Sequence, residues 1–309
     1  MVAISRVIDR GDLGEVPAPS VVPAGKRLLL AGLCLVGGVA PLAARSIPNQ
    51  VVEIVYGVIL AAVLLGVTLA VRRSSRLSAY WQLPFAFFVF SIVQVLNNSI
   101  PSFVLSNVLH EHTVNGNPLA STVFGAVVIQ VIEALIAIVP IVLLIRMAGL
   151  SLGSIYARAG RFGFAYVIAI IAFVGVYAVI GLSPTAHRFI PIHGTMTIDR
   201  YLALSPALLV MVISNGFEEE LLFRGLFLQR YGAVFGIWGA NILQALVFAF
   251  AHAGVSYSAN TFVFILVAVF PLGLIGGFLM RRSNGVVAPA LFHAGVDIPI
   301  YLAFLTFVS

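Results

Sequence analysis

The chain has 309 residues, of which 61% are hydrophobic and 9% charged, with a mean hydropathy of +1.10. A soluble globular domain is about 25% charged, so this composition excludes a water-facing surface over most of the molecule and makes the bilayer its main solvent. A net charge of +6 would suggest nucleic acid in a soluble protein, but here the basic residues sit in short clusters between apolar runs and read as topology signals.

Residues 1–25 hold Arg6, Asp9, Arg10, Asp12, Glu15, Pro17, Pro19 and Pro23, the composition of a disordered tail. The first apolar run starts only after Lys26 and Arg27, which fits a retained span rather than a cleaved signal peptide. Runs long enough to cross a bilayer are expected at about 27–44, 54–71, 82–100, 119–145, 162–182, 202–230, 233–252, 260–280 and 285–308. The fold class is therefore all-α, a polytopic transmembrane bundle of eight to nine spans. Residues 26–200 supply the N-terminal spans, and residues 201–309 form a C-terminal core of the last four. Cys34 is the only cysteine, so no internal disulfide is available.

Arginine placement gives an independent check. Arg72, Arg73 and Arg76 share one loop, Arg146, Arg158 and Arg161 another, and Arg281 and Arg282 a third, while the loops at 97–118 and 253–259 hold no Lys or Arg. Rich and poor loops alternate along nine spans, which puts the N-terminus in the cytoplasm, the C-terminus outside, and the chain in the cell membrane. Arg45, Arg188 and Arg200 fall on the poor side and depart from the pattern. The Gly232–Gly236 and Gly273–Gly277 pairs permit close helix packing. No internal repeat of the kind that builds transporters is evident.

Ionisable groups inside apolar spans are costly and are functional candidates. Away from span ends these are Glu133, the run Glu218-Glu219-Glu220 with Arg224, His252, His293 and Asp297. All but Glu133 fall in the last third. On a helix Glu220 and Arg224 share a face and can pair, while Glu219 points elsewhere, onto the stripe of Asn215. His252 continues a polar seam through Gln244 and Asn241. His293 and Asp297 are four apart and can touch, and a carboxylate partner fixes an imidazole's tautomer. Counted from the inner ends of the expected spans, Glu219 lies about 17 Å in, His293 about 12 Å and His252 about 28 Å, so His252 is the outlier.

In order, Glu219-Glu220-x-x-x-Arg224, Phe248-x-x-x-His252 and His293-x-x-x-Asp297 resemble the three-motif signature of the CPBP (Abi, CAAX protease and bacteriocin-processing) family, to which the Ras-converting CAAX endopeptidase is related. The resemblance covers about 200–300. It implies that Glu219 is the general base, that Glu220 and Arg224 are the pair that orders the motif, and that His252 and His293 hold the water or stabilise the oxyanion. Asp297 stands where the family often has asparagine. Glu218 lies outside the motif and receives no role.

Peptide hydrolysis needs an activated water and a stabilised oxyanion, and these residues can supply both without a metal or other cofactor. Zinc is the alternative, held by Glu219, His252 and His293 with the remaining glutamate as base, although the His-Glu-x-x-His helix is absent. Members of the family have been described both as metalloproteases and as glutamate-dependent enzymes. The resemblance implies a membrane-embedded or prenylated peptide substrate taken from the lipid bilayer, and no nucleic acid. Competing classes are a non-catalytic scaffold or immunity protein and a proton-coupled transporter. Glu133 with Gln130 is expected to bond across helices, and His110-Glu111-His112 to be a solvated outer loop.

Overall fold

The computed structural model describes residues 24–114, 116–183, 185–253 and 261–309. Residues 1–23 of the expected tail and most of the 253–259 loop lie outside them, while Ala24 and Gly25 already belong to the first helix. Ten helices run through the described chain: α1 Ala24–Ala43, α2 Gln50–Arg73, α3 Gln82–Phe103, α4 Val123–Met147, α5 Phe164–Leu182, α6 Ile198–Glu219, α7 Leu226–Ala251, the single turn α8 Thr261–Phe264, α9 Phe270–Ser283 and α10 Val287–Thr306. α6 passes into α7 through a π-helical turn, Glu220–Gly225, and α8 into α9 through another, Ile265–Val269.

Helix starts follow from local chemistry. Asn49 accepts from the amides of Val51 and Val52 at 3.0 and 3.1 Å and caps α2, and Thr122 and Thr197 cap α4 and α6 in the same way. Each satisfies amides that the first helical turn leaves without partners. Glu111 supports the α4 cap, accepting from Thr122 N at 3.0 Å and Thr122 Oγ1 at 2.6 Å. The expected solvated triplet is thus corrected at Glu111, while His110 and His112 are exposed.

Eight stretches of the described chain are long and apolar enough to cross a membrane, and one of them runs from Ile198 to Ala251. Nine separate spans were expected, with a break at about 231–232. The break lies instead at Gly236, whose φ of 72° and ψ of −176° interrupt α7. Only glycine adopts that backbone conformation readily. The stretch folds back there, since Phe223 and Phe248, on either side of the turn, meet edge to face with ring centroids 5.2 Å apart. The protein is an integral, multi-pass membrane protein. Its outer helices expose apolar side chains, such as Val55, Ile59 and Val63 of α2, at 50–58%, a surface that suits lipid rather than water.

Close approach of helices sets the interior. A Cβ on Gly216 would meet the Ala290 carbonyl at 2.5 Å, and one on Gly295 would meet Phe173 Cα at 2.8 Å, so α10 is clasped between α6 and α5. Gly273 and Gly277 do the same for α9 against the second arm of α7, at Ala245 and Asn241. Gly232 and Gly236 have no such tight neighbour. The first glycine pair is a packing motif, and the second belongs to the turn. Asn241 and Gln244 donate to the carbonyls of Leu274 and Gly273 at 2.9 and 2.8 Å. Their seam therefore binds α9 backbone and is not an extension of the His252 surface.

Candidate active site

The fold-back at Gly236 removes the depth mismatch of His252. Glu219 lies seventeen residues before Gly236 and His252 sixteen after it, so both sit roughly 25 Å from the turn along their arms. Moving the break by a few residues brings the two levels together.

Three successive glutamates diverge by about 100° each and meet three different neighbours. Glu218 faces α4, where Gln130 Nε2 donates to its Oε2 at 3.4 Å. Gln130 in turn accepts from the Tyr301 hydroxyl at 2.6 Å. The cross-helix bond expected of the Glu133–Gln130 face is thus made by Gln130, while Glu133 lines a cavity.

Glu220 turns inward. It and Arg224 are both fully buried and pair at 3.1 Å. The guanidinium also lies 4.1 Å over the Phe248 ring and donates to the Leu272 carbonyl at 3.3 Å. Gly276 makes this possible, because a Cβ there would approach Arg224 Nε and both Glu220 oxygens at 3.1 Å. A buried ion pair is tolerated only when its remaining valences are met, and Glu220 meets one by accepting from His293 Nδ1 at 2.9 Å.

That bond corrects one expectation. The carboxylate that orients His293 is Glu220, while Asp297 stands 3.7 Å from Nε2, beyond hydrogen-bond reach. Asp297 is held instead by Asn215, whose Nδ2 donates to Oδ2 at 2.8 Å. His252 has its Nδ1 2.9 Å from the Phe248 carbonyl. A carbonyl can only accept, so Nδ1 carries the proton and Nε2 is turned the other way.

Both histidines present Nε2 to the same atom. Glu219 Oε2 is 3.5 Å from His293 Nε2 and 3.9 Å from His252 Nε2, and it has no hydrogen-bond partner. The six residues of the three motifs therefore lie in one connected cluster. Glu219 and His252 open onto a cavity of about 200 Å³, lined also by Arg45, Gln94, Asn97, Gln130, Glu133, Asn215, Glu218 and Tyr301. Its volume accommodates several waters or a short piece of peptide.

Residues 202–299 match the family described as type II CAAX prenyl endopeptidase Rce1-like. They form an Rce1-like domain. No characterised protein and no solved structure compared with the chain matches it. The Rce1-like domain contains Glu219, Glu220, Arg224, His252, His293 and Asp297, and its family is one of peptidases.

Much of the cavity wall lies outside that domain and carried no motif. Arg45 follows α1, and its guanidinium donates to Gln94 Oε1 at 2.9 Å and to the Ala251 carbonyl, next to His252, at 3.3 Å. In the sequence it stood out only as an arginine on the wrong side of the charge pattern, and that departure was the available signal. Tyr301, Gln94 and Asn97 gave none, since single polar residues near span ends are common.

The donor types of Glu219, His252 and His293 suit zinc, and each imidazole bonds through Nδ1 to an oxygen, as zinc-ligating histidines do. Among the described residues, however, no three His, Cys, Asp or Glu side chains are gathered closely enough to close on one ion. The side chains would have to move together to hold a metal.

Proposed function

We propose that the protein is an intramembrane endopeptidase that hydrolyses a peptide bond in a membrane-embedded or lipid-modified, CAAX-like substrate, with Glu219 activating the water. One observation carries this reading: an unpartnered glutamate oxygen faces two imidazole nitrogens at the edge of a polar cavity inside an apolar bundle. Glu219 takes a proton from water, the resulting hydroxide attacks the carbonyl carbon, and the same carboxyl returns the proton to the departing amine. His293, bracketed by the carboxylates of Glu219, Glu220 and Asp297, is the ring better placed to donate to the oxyanion. His252, with its Nδ1 committed to a carbonyl, is better placed to hold the water. Glu220 and Arg224 act through position, fixing His293 and the π turn.

The substrate enters sideways from lipid, and water comes from the polar cavity. The arginine-rich ends support a cytoplasmic N-terminus and a location in the cell membrane. The same peptidase working with zinc is the second reading, and the matching donor types favour it. A scaffold or immunity role requires no cleavage at all.

The test is cleavage of a quenched membrane-peptide library by wild type and Glu219→Gln, with and without chelator. Cleavage abolished by the substitution and unaffected by chelation supports the metal-free glutamate reading. Loss on chelation with recovery on adding zinc replaces it with the zinc reading. A wild type that cuts nothing removes both and leaves the scaffold.

A further inference from the structure

A second cluster of charge lies toward the Gly236 turn of α7, where the loop between α4 and α5 meets the first arm of α7 and the α9–α10 turn. Arg230 is 4% exposed. Its Nη1 donates to the carbonyls of Leu226, Gly225 and Ser154 at 2.8, 3.4 and 3.5 Å, yet Nε and Nη2 have no partner. Arg281 Nη2 donates to Leu228 O at 3.2 Å, and its Nε is also without a partner. Arg158 donates through Nε to Asn284 O at 2.8 Å. The charges of Arg281 and Arg158 both act on Tyr156, while Arg230 reaches the turn just before it at Ser154. The α4–α5 loop, the first arm of α7 and the α9–α10 turn thus bring the three arginines to one end of the bundle.

No carboxylate answers them. Among the described residues, every ion pair belongs to the Glu219–Glu220–Asp297 group with Arg224, His252 and His293. Carbonyl oxygens solvate these guanidinia but carry no net charge. Buried arginine without a counter-ion is costly in a protein that spans a membrane, so these guanidinia call for an anion beyond the described residues. The same end exposes Ile237 at 62%, Trp238 at 75% and Phe162 at 77%. Such aromatic and aliphatic side chains mark the level of lipid headgroups.

We propose that Arg158, Arg230 and Arg281 form a binding site for a phosphate-bearing anion presented by a membrane lipid headgroup. Arg158 and Arg281, which are half-buried, grip the phosphate. Arg230 adds charge that no described carboxylate neutralises. The acyl chains lie on the apolar rim, which a free phosphate would not use. The site is independent of the peptidase reading.

The experiment uses the full chain in nanodiscs and reads lipid affinity by native mass spectrometry, together with the thermal midpoint. Phosphatidylglycerol is expected to bind and stabilise the wild type where phosphatidylcholine does not. Loss of any two basic residues near a bilayer surface costs about 25-fold in affinity, at about fivefold each, so Arg158→Gln with Arg281→Gln should weaken phosphatidylglycerol by more than that. Arg161→Gln with Arg282→Gln, which removes two exposed arginines of the same end, should cost no more than that non-specific share. Equal stabilisation by both lipids overturns the proposal. So does an unchanged affinity in the first variant, or an equal loss in the second. Stabilisation by inorganic phosphate in detergent that matches phosphatidylglycerol would also overturn it, by making the ligand a free anion.

Discussion

The buried Glu220–Arg224 pair offers the sharpest test of how the site is held. Arg224→Met keeps a long apolar side chain but leaves the Glu220 carboxylate fully buried with His293 as its remaining partner. Stranding one member of a buried pair costs about 3–5 kcal/mol, and loss of the contact with the Phe248 ring adds about 1–2 kcal/mol. Glu220→Gln removes the charge while its amide oxygen can still accept from His293. Combined with Arg224→Met it should recover much of the loss, because no stranded charge remains. The coupling between the two substitutions should be at least about 2 kcal/mol. Reversible unfolding in mixed micelles of the wild type, both single variants and the double variant measures it. If the two effects simply add, to within about 0.5 kcal/mol, the pair does not hold the turn together and the positioning role given to Glu220 and Arg224 fails.

Other outcomes follow from the same geometry. Glu219→Gln should abolish cleavage while leaving the unfolding midpoint near that of the wild type, since its Oε2 makes no hydrogen bond to lose; a large drop in midpoint would make the residue structural. Gly236→Ala meets nothing within 4 Å, so its expected cost of about 1–3 kcal/mol is purely that of the backbone conformation, and an unfolding curve that matches the wild type would place the turn elsewhere. Gly277→Ala is the converse, with helical backbone but a Cβ 1.9 Å from Asn241 Oδ1; it should cost about 1–3 kcal/mol, and Asn241→Ala in the same chain should relieve part of that. Tyr301→Phe removes the hydroxyl that donates to Gln130 and should cost about 1 kcal/mol with cleavage retained; loss of cleavage at unchanged stability would draw Tyr301 into the chemistry.

The membrane class and the helix positions were legible because few charges and long apolar runs leave little choice of solvent. The cluster was legible for the same reason, since an ionisable side chain stands out against a lipid-facing background. Geometry beyond one helix was not. The break at Gly236 could not be told from one at Gly232, because a glycine in a helix-compatible run shows no φ, and that shift alone made His252 look misplaced. The orienting partner of His293 was assigned by spacing to Asp297, four residues on, whereas the shorter contact comes across helices from Glu220. Arg45 and Tyr301 entered through tertiary packing, which no local pattern announces.

The chamber beside Glu219 has a divided ownership. Glu219, the histidines and the ion pair come from the Rce1-like domain, whereas Arg45, Gln94, Asn97, Gln130 and Glu133 come from segments before it. The domain is therefore not a cassette that can be lifted out whole. Grafted into another helical frame, residues 202–299 would carry the reactive groups but leave behind half the walls that meet a substrate. Exchange of the first four helices between related chains should then retune which peptides are admitted while leaving the hydrolytic chemistry untouched.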